Sequence, residues 1–420
     1  MKTQENFMNT HSSPSDLRIT DMRVVNLSGV PMRSTLIRLD TNQGIYGLGE
    51  VRDGASHIYA LQLKRQLLGE NPCNVDKLFR KIKQFGWHAR QGGGVCGVEM
   101  ALMDLAGKAY GVPCYQLAGG KFRDQIRIYC DTHTTPNPEE MGNRLKARME
   151  QGFTFLKMDI GVRLLKDIPG TVSSPAGMLE TTQVMHPFTG IQFTDKGIDV
   201  LVQYVGVVRD IVGYEIPLAA DHFGHINVES CIRLARALER FNLAWLEDMI
   251  PWQLTDQWAR LKNATATPVC TGEDIYLLEH FKPLIDNKAV SIIHPDLATS
   301  GGILETKRIG DYAEEHGIAM ALHMAATPIA TMASVHCAAA TNNFLVLECH
   351  AVDYPPWNTL VTGLPNPIVQ NGYIQVPDAP GLGVDLNEEA IKEHINPNLP
   401  GYFEPTDAWD EEQVNDRLWS

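Results

Sequence analysis

The chain reads as an α/β protein, a closed barrel of eight parallel strands with a smaller α+β domain in front of it. Three observations predict this. Residues 216–221 (IPLAAD), 243–247 (LAWLE) and 268–273 (PVCTGE) are short apolar runs that each end in a carboxylate, and 247 − 221 and 273 − 247 both give 26. Such a run is a parallel strand buried on both faces, and one strand plus one helix fills a repeat of this length. Counting similar runs from Ile126 gives eight, beginning near 126, 154, 216, 243, 268, 290, 318 and 344, the number a closed barrel requires. Before Ile126 the strands come first and the helices after, the order of a separate α+β unit.

In chain order, residues 1–17 are polar, lack the apolar core of a secretory leader and are expected to form a disordered tail. The small domain is expected over 18–122. It opens with alternating runs at 19–25 and 35–39, a turn at Thr41-Asn42-Gln43-Gly44 and a third strand to Glu50. Helical patterns follow at 58–68, 75–85 and 95–110, the last stopped by Gly111-Val112-Pro113. Gly92, Gly93 and Gly94 lack the preceding strand and the spacing of a nucleotide loop, and read as a flexible helix start. The barrel is expected over 123–354. Its rhythm breaks at about 161–196, a stretch rich in Pro, Gly, Ser and Thr with no period, which is how a lid or a disordered loop reads. Residues 355–420 are Pro-rich and polar with one hairpin-like piece at 373–376, and are expected to wrap back onto the first domain.

Composition narrows the class of function. A formal charge of −14 argues against nucleic acid or an anionic membrane as partner, and 44% hydrophobic residues support a large core. No apolar run is long enough to span a bilayer. The eight cysteines are scattered, without a C-x-x-C pair, and read as buried free thiols of a reducing compartment. A cytoplasmic enzyme acting on a small molecule is the expectation.

In a barrel the C-terminal strand ends converge on one mouth, so Asp221, Glu247 and Glu273 would face one small volume. Three carboxylates that close repel unless a cation neutralises them. Any one of these acids alone would more often be structural; the set in phase points to a metal. All-oxygen ligation favours Mg²⁺, with Mn²⁺ as the alternative, over zinc. Lys157 and Asp159, two apart on the second strand, share its inner face, though alone they would be an ordinary ion pair. Asp296 and His323 end adjacent strands, and a carboxylate on one ring nitrogen makes the other a competent base. Glu348 ends the eighth strand. A divalent ion with a tuned base suits removal of a proton α to a carboxylate, where the ion stabilises the enediolate.

The sequence resembles the enolase superfamily, in its mandelate racemase subgroup, over nearly its whole length. The residues that carry the resemblance are the Asp221, Glu247, Glu273 series, Pro295-Asp296 with His323, Glu348, residues 101–113 (ALMDLAGKAYGVP) and residues 380–384 (PGLGV). The resemblance implies a capping domain, built from the N-terminal region and the C-terminal tail, over a modified (β/α)7β barrel. It implies Mg²⁺ on the three acids, an Asp296–His323 dyad, Glu348 against the substrate carboxylate, specificity set by cap loops near 31–34 and 51–55, and assembly into a homo-oligomer. Two departures matter. The second strand of many members ends Lys-x-Lys, but here it reads Lys157-Met158-Asp159, which disfavours a racemase and suits a syn dehydration by His323 alone. Some sugar-acid dehydratases have a His two places after the first metal ligand, where this chain has Phe223; His225 or His222 could replace it, with strand alternation pointing His222 away. The resulting expectation is a Mg²⁺-dependent dehydratase of an acid sugar, an aldonate or aldarate, giving a 2-keto-3-deoxy acid. Asp221, Glu247 and Glu273 would hold the metal, His323 with Asp296 would be base and acid, Lys157 would bind the carboxylate and Glu348 would help stabilise the enediolate; Asp159 and His225 complete the candidate set. The alternatives are an epimerase, racemase or cycloisomerase and, from another class, a catalytically silent ligand-binding protein.

Overall fold

The computed structural model describes residues 13–30, 32–87, 89–177, 190–223 and 226–412. The small domain begins with an antiparallel meander, β1 (Ile19–Leu27), β2 (Ser34–Thr41) and β3 (Tyr46–Val51), in which Ile37 pairs with Val24 on one side and Gly49 on the other. The β2–β3 turn is made locally: the Thr41 hydroxyl donates to the Ile45 carbonyl at 2.5 Å, and Gly44 takes a φ of 79°. Helix α1 (Gly93–Tyr110) lies on this sheet and is buried over all but its last residue. The approach is so close that a Cβ on Gly49 would sit 1.9 Å from the Gly97 carbonyl oxygen. Gly94 likewise lies where a Cβ would be 2.0 Å from the Tyr59 carbonyl oxygen, so the glycines at the helix start serve close packing, not the flexibility expected of them. The 58–68 pattern resolves into two one-turn helices, Ile58–Leu61 and Lys64–Leu67. Ser13 to Leu17, expected in a disordered tail, include a short 3₁₀ turn at Pro14–Asp16.

The barrel follows as β4 (Gln125–Cys130), α2 (Pro138–Glu150), β5 (Leu156–Asp159), α3 (Asp195–Val212), β6 (Leu218–Asp221), α4 (Val228–Leu238), β7 (Leu246–Glu247), α5 (Thr255–Ala264), β8 (Val269–Thr271), α6 (Leu278–Asp286), β9 (Ile292–Ile293), α7 (Gly302–Glu315), β10 (Ala319–Leu322), α8 (Pro328–Ala340) and β11 (Phe344–Cys349). Seven strand–helix units and a last strand give the (β/α)7β form. Side chains cap the helices where the sequence offers them: Asn137 before Pro138, Thr194, Asn227, and Thr327 before Pro328. The sheet runs β4-β11-β10-β9-β8-β7-β6-β5 with all these strands parallel, and β12 (Tyr373–Gln375) from the C-terminal tail pairs antiparallel with β4. At the β4–β5 seam the Arg127 Nε donates to Thr154 Oγ1 at 2.9 Å. The barrel interior is a core cluster of its own, with one residue from each strand position: Tyr129, Phe155, Ala219, Trp245, Cys270, Ile292, Ala321 and Val346. Phe155 and Trp245 stack at 4.7 Å, with the small Ala219 on the strand between them.

Between β5 and α3 the described residues are not wholly irregular. They include the one-turn helix Val162–Leu165 and a short antiparallel pairing of Val172–Ser173 with Gln192–Phe193. Two buried carboxylates fasten the small domain to the barrel. Glu99 on α1 accepts from the Ile303 and Leu304 amides at 2.6 and 3.0 Å, at the start of α7. Glu50 on β3 accepts from the Thr327 amide and hydroxyl and the Ala330 amide at 2.9, 2.6 and 3.1 Å, at the start of α8. The C-terminal tail returns to the same domain: Asp104 accepts from the Leu382 amide at 2.8 Å and the Leu48 amide at 2.9 Å.

Candidate active site

Successive inward residues of a strand are two apart, so the layer above the barrel plug is found by adding two to each of its members. The result is Asp131, Lys157, Asp221, Glu247, His294, His323 and Glu348, a ring of charge over an apolar floor. On β8 the position is Gly272, with φ 149° and Phe281 Cε1 2.9 Å from where a Cβ would stand, and the chain passes on to present Glu273 instead.

Lys157 lies under the middle of the ring. Its Nζ is 2.8 Å from Asp221 Oδ2, 2.8 Å from Glu348 Oε1 and 3.7 Å from Glu247 Oε1. Burial works against its charge, but Asp221, Glu247 and Glu348 outweigh this and hold it well above an ordinary lysine. Burial also opposes ionisation of Glu348, and Lys157, His323 and His350 overcome it and hold the carboxyl well below its usual range.

His323 Nδ1 is 2.7 Å from Asp296 Oδ2, and its Nε2 is 3.3 Å from Glu273 Oε2 and 3.7 Å from Glu348 Oε2. Burial lowers the basicity of this ring, yet Glu273 and then Glu348 and Asp296 raise it, against Arg52, to about 10. Arg52, at the end of β3, reaches from the small domain into the dyad. It is almost fully buried, pairs with Asp296, and places Nη1 3.1 Å from His323 Nδ1 and Nη2 3.7 Å from Glu273 Oε1. Asp296 also accepts from the Ala298 amide at 2.7 Å, which fixes its carboxylate from below.

The three acids expected to hold a metal all border this volume. Asp221 is tied in through Lys157, and single oxygens of Glu247, Asp248 and Glu273 lie within 4.8 Å of one another. Asp248, in left-handed backbone at φ 45°, is raised well above the carboxylate range by burial and then by Glu273, Glu247 and Asp221. Carboxylates gathered this closely, each raising the others' pKa, are a donor set suited to a hard divalent cation. His294 supports it from the fully buried side, with Nδ1 2.7 Å from Glu247 Oε1 and Nε2 3.2 Å from the Tyr129 hydroxyl.

Asp159 is on the inward face with Lys157, in register with Asp221, one layer further out, and no ion pair joins it to Lys157. It stands at the rim, accepting from the Thr134 hydroxyl at 2.9 Å and facing His222 Nδ1 at 3.1 Å. His222, expected to point away, is turned back by a φ of 60°; Asp221 and then Asp159 lift its ring to about 10. His225 lies outside the described residues. The residues the sequence reading did not single out are Arg52, Asp131, Asp248, His294 and His350. The rule of two finds Asp131 and His294 once the plug is known, while His350 lies just past the end of β11. Arg52 arrives by a contact between domains that no period announces.

Residues 140–390 match the family model described as enolase C-terminal domain-like, and residues 24–119 match that of the mandelate racemase / muconate lactonizing enzyme N-terminal domain. The chain belongs to the mandelate racemase/muconate lactonizing enzyme family. Within this part of the enolase superfamily it is 34% identical over 397 residues to D-xylonate dehydratase of Haloferax volcanii, covering 92% of this chain and 91% of that one. It is 28% identical over 379 residues to D-galactonate dehydratase of Verminephrobacter eiseniae, covering 87% and 91%. A mandelate racemase/muconate lactonizing enzyme-like protein from Rubrobacter xylanophilus superposes with a TM-score of 0.81 at 32% identity, over 93% of this chain and all of that one. Among the described residues no helix is long and apolar enough to cross a membrane.

Proposed function

We propose that this member of the family is a Mg²⁺-dependent dehydratase of an acid sugar, an aldonate or aldarate, yielding a 2-keto-3-deoxy acid. The observation that carries the reading is the placement of His323 Nε2, 3.3 Å from Glu273 and backed by Asp296 at 2.7 Å, over a cluster of acids that need a cation. Asp221, Glu247 and Glu273 would hold Mg²⁺, which when bound stabilises the negative charge that develops on the substrate carboxylate. His323 Nε2 takes the proton from C2, and Asp296 fixes the ring tautomer. Lys157 holds Glu348 ionised and supplies a permanent buried positive charge beside the carboxylate site. The electron pair left at C2 moves into the C2–C3 bond as the C3–oxygen bond breaks, the departing hydroxyl is protonated to water, and the resulting enol becomes the ketone. The family relatives named for D-xylonate and D-galactonate dehydration support the substrate class.

The test is an NMR screen of acid sugars with Mg²⁺. Conversion of one of them to a 2-keto-3-deoxy acid supports the proposal, and exchange at C2 in D₂O without loss of water overturns it in favour of epimerisation. That second reading has one observation behind it, the His222–Asp159 pair at the rim, a further group able to carry a proton.

A further inference from the structure

Two residues beyond Glu348, His350 turns toward the same volume. Its Nδ1 is 3.3 Å from Asp131 Oδ2, so the ends of β4 and β11 together build a second His–Asp pair. Its Nε2 is 3.4 Å from Glu348 Oε1, while His323 Nε2 is 3.7 Å from the other oxygen of that carboxylate. One donor atom from each of His323, Glu348 and His350 lies within 4.8 Å of the others, and the two rings are 5.7 Å apart. The two imidazoles therefore each approach a different oxygen of the Glu348 carboxylate. Both rings have carboxylate oxygens at both nitrogens, but they stand differently in the site. His323 is buried against Glu273 with the Arg52 guanidinium 3.1 Å from Nδ1, whereas His350 faces Asp131 and Glu348 at the partly exposed edge.

We infer that His350, oriented by Asp131, is the general acid that protonates the departing C3 hydroxyl, leaving His323 as the base alone. The inference rests on the dehydratase reading. In the step, the C2–H bond breaks toward His323 Nε2 and its electron pair stays with the substrate. The C3–O bond then breaks with its pair on oxygen, which takes the proton from His350 Nε2 and leaves as water. The enol ketonises by losing its C2 hydroxyl proton and gaining one at C3, and the two histidines return to their starting forms through solvent at the exposed edge of His350. With donor atoms less than 5 Å apart, the two rings are close enough to serve the adjacent carbons C2 and C3 of one substrate.

The experiment compares wild type, His350→Asn and Asp131→Asn with two substrates in D₂O: the acid sugar that wild type dehydrates, and its 3-deoxy-3-fluoro analogue, whose fluoride leaves without a proton. Dehydration by His350→Asn should fall by about 100-fold or more. C2 exchange and fluoride release should stay near the wild-type rate, with Asp131→Asn intermediate. Full dehydration by His350→Asn, or equal loss on both substrates, overturns the inference. Should His350→Asn not fold, Asp131→Asn with the same pair of substrates decides. If wild type itself dehydrates no acid sugar, it is the dehydratase reading that has failed.

Discussion

Replacing Lys157 with methionine keeps most of the buried stem and removes the charge that joins Asp221 to Glu348. Each 2.8 Å contact is worth about 6 kcal/mol at an effective dielectric constant of about 20. Much of that offsets lost hydration, and breaking a buried ion pair from one side costs about 3–5 kcal/mol net. For a chain of 420 residues this lowers the unfolding midpoint by about 3–6 °C. The loss should appear in EDTA and shrink with Mg²⁺, because a cation held by the acids replaces part of the missing charge. For the same reason Mg²⁺ should bind more tightly to the variant, while turnover falls for want of positive charge beside the substrate carboxylate. Thermal unfolding in EDTA and in a Mg²⁺ titration, with calorimetric Mg²⁺ binding, measures each quantity. A variant that melts with wild type in EDTA, or that binds Mg²⁺ more weakly, would show that Lys157 is not the charge that balances these acids.

Burial lifts Glu99 to about 8 from an ordinary 4.5, so folding takes up a proton between those values and its contribution to stability is lost as pH rises through 8. The slope is at most about 1.4 kcal/mol per pH unit, and urea unfolding from pH 5 to 9 should show it flattened in Glu99→Gln. His323, raised to about 10 chiefly by Glu273 against burial, should drop toward neutrality on Mg²⁺ addition, read from its ring carbon proton by NMR titration; an unchanged value would separate Glu273 from the metal. Asp296→Asn leaves the ring without its anionic partner and should reduce kcat by about 100-fold or more with little change in KM, as steady-state assays would show.

Much of the architecture was legible because strands buried on both faces are apolar runs with no alternation to blur them, and because Asp221, Glu247, Glu273, Asp296, His323 and Glu348 each end or closely follow such a run. His294 was hidden inside the run that ends at Asp296, where it reads as strand interior; only the position of Ile292 in the plug shows that it faces inward. His350 lies past the strand proper, and its role depends on Asp131, which is remote in sequence. His222 was placed wrongly because alternation holds only in extended backbone, and its φ of 60° ends the strand there. Gly93 and Gly94 were misread because their close neighbours, Arg52 and Tyr59, come from other elements of the small domain. Arg52 shows the general limit: a contact between two domains has no spacing in the sequence to betray it.

In the proposed reaction His323 removes the proton α to the carboxylate of an acid sugar. Its most direct test follows the C2 proton by NMR in D₂O with Mg²⁺, for wild type and His323→Asn on the sugar that wild type dehydrates. The variant should neither form the 2-keto-3-deoxy acid nor exchange the C2 proton, while its circular dichroism stays as in wild type and it still binds Mg²⁺. Exchange or dehydration continuing in a folded, Mg²⁺-binding His323→Asn would assign the base to another residue and contradict this role for His323.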